Sequence, residues 1–383
     1  MKLAYKLIMN NKKNLEKKYT FKTQYVANYS DFKNQIKEKK IIPYQVEFQP
    51  PPKSKKKICW LECPYCYGLS ALDNGERFSK DRSLEILKQI LEGGVKKIIF
   101  AGYATDPLYC KYIEDLLELT VKKKAIFGFN TKALKISEKF FEILNKNELV
   151  NGSYISLSVD AGTNETYNKV HNVKSSAPIY DRVLKNVKKL GNIKKRNFFD
   201  LSAAYLVNIN SGNAYDYEKF INDFIDAGCN VLRFAFPQPP KDINTEKGVV
   251  PTESEMLSYS KDLIELKKKY ENKDCLIIIS NPDKENDIYR KARTTPCFAR
   301  FIFPTVGFDG WLYNCSESSA PNFRSTALGD LKIRDFWDLF YNYDTTNLKS
   351  YLGKCNEKIN KSGCRCDRKE HMSNQSVINS KVF

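Results

Sequence analysis

Cys59-Trp60-Leu61-Glu62-Cys63-Pro64-Tyr65-Cys66 sets three cysteines in a C-x3-C-x2-C spacing. Structural zinc sites also use C-x2-C, but they close a tetrahedron with a second cysteine or histidine pair, and none lies nearby. Three thiolates suit a four-iron cluster that keeps one iron open for an exchangeable ligand, much as catalytic zinc keeps an open position. A packing role for buried cysteines would not demand this spacing on a loop flanked by proline and lysine. Upstream, Gln45-Val46-Glu47-Phe48 reads as a short strand, which puts the trio on the loop that follows it.

Downstream, strand-like runs alternate with helical periodicity. The runs are Lys97-Ile98-Ile99-Phe100, Ala125–Phe129, Tyr154–Val159, Leu201–Val207 and Asn230–Phe234. Between them, Leu84, Leu87 and Leu91 share a helical face stopped by Gly93-Gly94; Ile113, Leu116 and Leu117 form a second such face, and Phe220, Phe224 and Ile225 a third. Repeated βα units imply an α/β fold with a parallel sheet, right-handed crossovers and functional loops at the carboxyl ends of the strands; six strands fit better than eight. A further helix, about Glu253 to Tyr270, and the run Cys275–Ile279 precede a compositional break near Asn281-Pro282-Asp283.

At 383 residues, with 42% hydrophobic and 13% aromatic content, the chain has enough apolar material for a large core plus one appended unit. No run reaches the roughly 18 apolar residues of a membrane span, and the first residues lack a secretory signal, so a cytoplasmic location is expected. In a reducing compartment 11 cysteines point to metal or redox use rather than to disulfides. Only His171 and His371 are histidines, which excludes histidine-rich metal sites and most catalytic triads. The net charge of +18 would suit an anionic partner, yet the abundance of lysine, asparagine and isoleucine fits genomic bias and argues against a nucleic-acid partner.

A C-x3-C-x-Tyr-C motif after the first strand of a βα array resembles the radical SAM superfamily. That resemblance implies a partial (β/α)6 TIM-like barrel whose Cys59, Cys63 and Cys66 hold a 4Fe-4S cluster. Its open iron would bind S-adenosylmethionine and cleave it to a 5′-deoxyadenosyl radical. Ala101-Gly102-Tyr103-Ala104-Thr105-Asp106-Pro107 stands where the family has Gly-Gly-Glu-Pro, so Gly102, Ala104, Thr105 and Asp106 are expected to receive the methionine ammonium. Ser158-Val159-Asp160-Ala161-Gly162 is similar to the family's Ser-x-Asp-Gly segment. With Asn130 and Tyr65, it makes Ser158 and Asp160 expected cofactor contacts; Asp160 or Thr163 could equally cap the next helix. Asn208 and Asn210 read as loop residues able to reach a ribose or carboxylate.

Five more cysteines crowd the last quarter: Cys297, Cys315, Cys355, Cys364 and Cys366. Asp309-Gly310 between apolar runs signals a hairpin, expected to carry Cys297 and Cys315. The arrangement resembles the auxiliary-cluster domain of radical SAM enzymes, called SPASM with two clusters and twitch with one. Five thiols cannot fill two four-iron sites, so one auxiliary 4Fe-4S cluster is expected, on Cys297, Cys315 and two of the last three, with a zinc site of the same ligands as the alternative. Cys110, Cys229 and Cys275 read as core. The expected organisation is a lysine-rich extension (1–43), a radical SAM core (44–289) and a small cysteine-rich auxiliary-cluster domain (290–383).

By that resemblance an auxiliary cluster beside a radical site would accept the second electron of an oxidation or ligate the substrate; net oxidation is expected, with an electron donor such as flavodoxin or ferredoxin. The N-terminal 43 residues look too short for the leader-binding module of many peptide maturases, so a small polar substrate such as a sugar or nucleotide sugar is expected. Peptide modification is the alternative, and a zinc-dependent nucleic-acid-binding module is a reading from a different class.

Overall fold

The computed structural model describes residues 32–53, 59, 61–66, 75–102, 105–174, 176–194, 197, 199–237, 249–271, 273–280, 297–319, 321–343, 374 and 377. In chain order the elements are α1 (Phe32–Lys37), β1 (Val46–Phe48), α2 (Lys80–Glu92), β2 (Lys97–Phe100), α3 (Ile113–Lys122), β3 (Ile126–Thr131), α4 (Glu138–Lys146) and β4 (Tyr154–Ser158). Then follow α5 (Asn164–Val170), α6 (Ile179–Lys194), β5 (Asp200–Leu206), α7 (Ala214–Asp226), β6 (Val231–Ala235), α8 (Glu253–Lys269) and β7 (Leu276–Ile279). The carboxyl-terminal part adds α9 (Ala299–Ile302), β8 (Thr305–Val306), β9 (Trp311–Tyr313), β10 (Gly329–Asp330) and α10 (Phe336–Phe340). The fold is α/β with a mostly parallel sheet, as the βα alternation implies. Among the described residues no helix is long and apolar enough to cross a membrane.

The chain forms two compact units. Among the described residues, one gathers 59, 61–66 and those from 129 to 280; the other gathers 32–53, those from 75 to 128, and those from 297 onward.

In the first unit β4, β5, β6 and β7 lie side by side and parallel, with Ile155 opposite Leu201, Ala203 opposite Leu232 and Val231 opposite Leu276. Ile155, Leu157, Leu201, Ala203, Tyr205, Val231, Leu232, Phe234, Leu276 and Ile277 on them are buried, as expected of parallel strands covered by helices. Phe220 on α7 meets Tyr205 at 5.2 Å and Phe234 at 5.5 Å in edge-to-face contacts. Such pairs add about 0.5–1.5 kcal/mol each beyond the area they bury. Gly162, between β4 and α5, packs against α7 so tightly that a Cβ would stand 2.1 Å from the Asp216 carbonyl oxygen. Three of its helix starts show side-chain caps: Thr163 accepts the Thr166 amide, Asn213 accepts the Asp216 amide, and Thr252 with Glu255 completes a capping box.

In the second unit β1 is flanked by two parallel neighbours, with Glu47 opposite Ile99 of β2 and Thr305 of β8. The Asp309-Gly310 turn joins β8 to antiparallel β9, and Gly310 takes a φ of 81° that a side chain would resist. The hairpin is thus where the turn signal put it, and Cys315 follows β9 closely. Cys297 does not share the hairpin. It precedes α9, because Phe298, Ala299, Phe301 and Ile302 are all buried in a short helical turn before β8 begins. Helix α2 buries Ile86, Leu87, Ile90 and Leu91 and ends at Gly93, over which the Trp337 ring packs while its Nε1 donates to the Gln89 carbonyl at 2.9 Å. Leu84 is only half-buried, so the helix face is shifted from the leucine-only stripe.

Candidate iron-sulfur and cofactor site

Cys63 is the buried member of the trio; Cys59 and Cys66 are half-buried. A turn closes between them, the Cys66 amide donating to the Cys63 carbonyl at 3.0 Å. Burial pushes the Cys63 thiol up to about 12; Lys132 pulls it down, while Cys66, Asp160 and Cys59 push it further up. The free thiol therefore keeps its proton until a metal displaces it, as cysteine ligation requires.

His171, at the end of α5, lies behind this sulfur. Its Nε2 is 3.0 Å from the Val159 carbonyl, which can only accept, so Nε2 carries the ring proton and Nδ1 presents a lone pair. That lone pair faces Cys63 Sγ at 3.1 Å and the Tyr65 hydroxyl at 3.0 Å. Burial, then the Lys132 charge, depresses the His171 pKa to about 3, so the ring stays neutral.

Tyr65 donates to Asp160 Oδ2 at 2.9 Å, and Lys132 Nζ lies 3.4 Å from the same oxygen and 3.3 Å from the Ser158 carbonyl. Asp160 Oδ1 accepts the Leu206 amide at 2.9 Å. Burial alone would lower the Lys132 pKa; the nearby Asp160 and Cys63 charges raise it above its ordinary value. Asp160 is buried and holds a φ of 62° directly after β4, a left-handed conformation that Asp and Asn tolerate best among residues with a side chain. Of the two residues expected to cap α5, Thr163 does so, and Asp160 braces Tyr65 instead.

Buried Asp216 supports this loop from α7, accepting the Gly162 amide at 2.7 Å, the Thr163 hydroxyl at 3.2 Å and the Tyr205 hydroxyl. Asn208 serves its own turn, its Oδ1 accepting the Asn210 amide and its Nδ2 donating to the Leu206 carbonyl. Asn130 is exposed on β3.

In the second unit, Gly102 sits where no side chain fits, since a Cβ would meet the Thr105 carbonyl oxygen at 1.7 Å. Thr105 Oγ1 is buried without a hydrogen-bond partner, and buried Asp106 accepts the Leu108 amide at 2.9 Å to cap the turn Pro107–Tyr109. An orphaned hydroxyl beside a folded-back carbonyl and a carboxylate fits an ammonium-bearing ligand. Ala104 lies outside the described residues. So do Cys355, Cys364 and Cys366. Cys315 is buried with Sγ 3.6 Å from the Ser318 hydroxyl, and Cys297 Sγ lies 3.7 Å from Asn374 Nδ2.

Among the described residues no three metal-ligating side chains converge closely enough for a single ion. A four-iron cluster asks each cysteine to meet a different iron, and a cysteine trio with buried Cys63 on a tight turn beside the shielded Lys132 cation fits it.

Residues 55–203 match the model of the Radical SAM superfamily. That stretch of the chain is similar to a radical SAM domain. The chain is 28% identical over 137 residues to an S-adenosylmethionine-dependent nucleotide dehydratase of Flammeovirga pacifica, covering 33% of this chain and 43% of that protein. It is 29% identical over 109 residues to an uncharacterised protein of Archaeoglobus fulgidus, covering 28% of this chain and 24% of that one. The matched stretches thus span less than half of either relative.

In three dimensions the chain is similar to Streptococcus suis SuiB, with a TM-score of 0.59 at 15% identity over 83% of this chain and 70% of SuiB. It is also similar to anSMEcpe with bound AdoMet, with a TM-score of 0.55 at 16% identity over 88% and 96% of the two chains. SuiB has also been crystallised with the precursor peptide SuiA, and anSMEcpe with the Cp18Cys peptide. At these identities the likeness concerns the fold.

Lys132, His171 and Asp216 were not singled out from the sequence. Lys132 follows a strand end in Asn130-Thr131-Lys132, the one local signal that could have drawn attention to it.

Proposed function

We propose that this protein is a radical SAM oxidoreductase acting on a small polar substrate such as a sugar or nucleotide sugar. In this reading Cys59, Cys63 and Cys66 hold a 4Fe-4S cluster. With S-adenosylmethionine bound, that cluster supplies one-electron cleavage and a 5′-deoxyadenosyl radical able to abstract a substrate hydrogen. An auxiliary cluster on Cys297, Cys315 and two of Cys355, Cys364 and Cys366 would accept the second electron of the oxidation, and a flavodoxin- or ferredoxin-like donor would supply the first.

The residues do the rest. In this reading Tyr65, Asp160 and Ser158 would contact the cofactor, and Gly102, Thr105 and Asp106 would offer acceptors for the methionine ammonium. The single observation that carries the reading is the His171 ring placed against both Cys63 and the Tyr65 hydroxyl, which Asp160 and Lys132 extend, in a stretch that matches the family model. The nucleotide dehydratase among its relatives supports a nucleotide-type substrate. A peptide substrate is the second reading, supported by the fold shared with SuiB and anSMEcpe, both seen with peptides.

Anaerobic reconstitution followed by iron, sulfide and 5′-deoxyadenosine analysis tests the chemistry. Stoichiometric zinc without sulfide, or a Cys63→Ala protein that still cleaves S-adenosylmethionine under dithionite, would sink it. Deuterium transfer into 5′-deoxyadenosine from labelled nucleotide sugars, set against labelled peptides, decides the substrate class.

A further inference from the structure

We infer that Lys132 and Asp160 act as a charged pair that sets the reduction potential of the cluster on Cys59, Cys63 and Cys66, with opposite signs. The inference rests on the proposed cluster assignment and adds a role for two side chains that leave the carboxyl ends of adjacent βα units.

Four contacts run in sequence: Cys63 Sγ to His171 Nδ1 at 3.1 Å, His171 Nδ1 to the Tyr65 hydroxyl at 3.0 Å, Tyr65 to Asp160 Oδ2 at 2.9 Å, and Asp160 Oδ2 to Lys132 Nζ at 3.4 Å. The line joins a ligating sulfur to the charged pair through neutral groups. Lys132 and Asp160 are shielded, their side chains 19% and 6% exposed, so solvent and salt screen them far less than surface charges. At 3.4 Å their mutual contact is longer than a close charge-assisted hydrogen bond, so the cation keeps a field of its own.

Reduction adds one negative charge to a group that three thiolates already make electron-rich, and the potential of such a cluster follows the net charge and hydrogen bonding around it. The ammonium therefore favours the reduced form and the carboxylate disfavours it. Because Tyr65 donates its one hydroxyl proton to Asp160, the same pair also fixes the Tyr65 ring beside the His171 ring that faces the sulfur. Lys132 and Asp160 are positioning residues in this sense.

The test is potentiometric titration of the anaerobically reconstituted full chain without S-adenosylmethionine, read by electron paramagnetic resonance. Lys132→Met is expected to lower the ratio of reduced to oxidised cluster at the wild-type midpoint by about tenfold, which is about 59 mV for a one-electron couple. Asp160→Asn, which tolerates the left-handed backbone, is expected to raise that ratio. Lys132→Arg, which keeps the charge, should return it to within about twofold, a change under 0.5 kcal/mol on the scale of tenfold per 1.4 kcal/mol. Unmoved potentials, or Lys132→Met and Asp160→Asn moving the same way, would overturn the inference.

Should Lys132→Met fail to load iron, the Asp160→Asn and Lys132→Arg proteins still decide, since Asp160→Asn must titrate at a more positive potential than both wild type and Lys132→Arg. A wild-type protein without acid-labile sulfide defeats the cluster assignment and this inference together. A loaded wild type whose potential ignores the pair defeats this inference alone.

Discussion

Tyr65 and Asp160, 95 residues apart in sequence, meet hydroxyl to carboxylate at 2.9 Å, and this bond couples the cysteine loop to the end of β4. Tyr65→Phe removes the donor and keeps the ring. A hydrogen bond to a charged group contributes about 1.5–3 kcal/mol, so the apoprotein should lose about that much in urea unfolding. An unchanged urea midpoint at unchanged slope would show that the bond does not stabilise the fold.

Gly102 faces the Thr105 carbonyl so closely that any Cβ must push the backbone apart. Overpacking of this kind costs about 1–3 kcal/mol, and every 1.4 kcal/mol is tenfold in affinity. Gly102→Ala is expected to weaken S-adenosylmethionine binding by about tenfold or more in calorimetry. Wild-type affinity in that variant would separate this loop from the cofactor.

His171 gives the apoprotein a pH dependence of definite sign. Its folded pKa is depressed to about 3, while the unfolded ring titrates near 6.5, so between these values the unfolded state binds more protons. Stability is full above about 6.5 and falls by up to about 1.4 kcal/mol per pH unit as the pH drops towards 3. Replacing the ring, as in His171→Gln, should flatten that slope in unfolding titrations between pH 6.5 and 4. An equal slope in both proteins would assign the pH dependence to other groups.

At the hairpin, Arg324 bridges buried Asp309 and the more exposed Glu76, at 3.0 and 2.8 Å. Asp309 also accepts from the Tyr313 hydroxyl at 2.8 Å. Removing one partner of a buried charged pair costs about 3–5 kcal/mol, less here because Arg324 reaches solvent, whereas exposed pairs contribute about 0–1 kcal/mol. Asp309→Ala should therefore lower the thermal midpoint by several degrees more than Glu76→Gln. Equal shifts would argue that the two carboxylates share the load.

Much of this was legible in the sequence. Runs such as Lys97-Ile98-Ile99-Phe100 are apolar, short and bounded, and the structure has a strand at each one. The cysteine trio carries its spacing in eight consecutive residues, and Thr163 is a capping residue at a helix start. His171 was not legible as a site residue, because a single histidine ending a short helix has no periodic signature; only the fold brings its ring to Cys63. Asp216 reads as an ordinary first-turn acid, and its hold on Gly162 depends on how α7 packs. Cys297 was misplaced because Phe298–Phe303 is as apolar as a strand, and periodicity cannot separate a buried helical turn from a strand at that length.

The pairing of β1 with β8 has a consequence for anyone who shortens this chain. The amides of Gln45, Glu47 and Gln49 donate to the carbonyls of Ile302, Pro304 and Val306. A fragment stopping before residue 297 would leave those three donors on an open sheet edge lined by Val46 and Phe48, a template for self-association. The carboxyl-terminal segment is thus a cover that keeps the first strand from recruiting copies of itself.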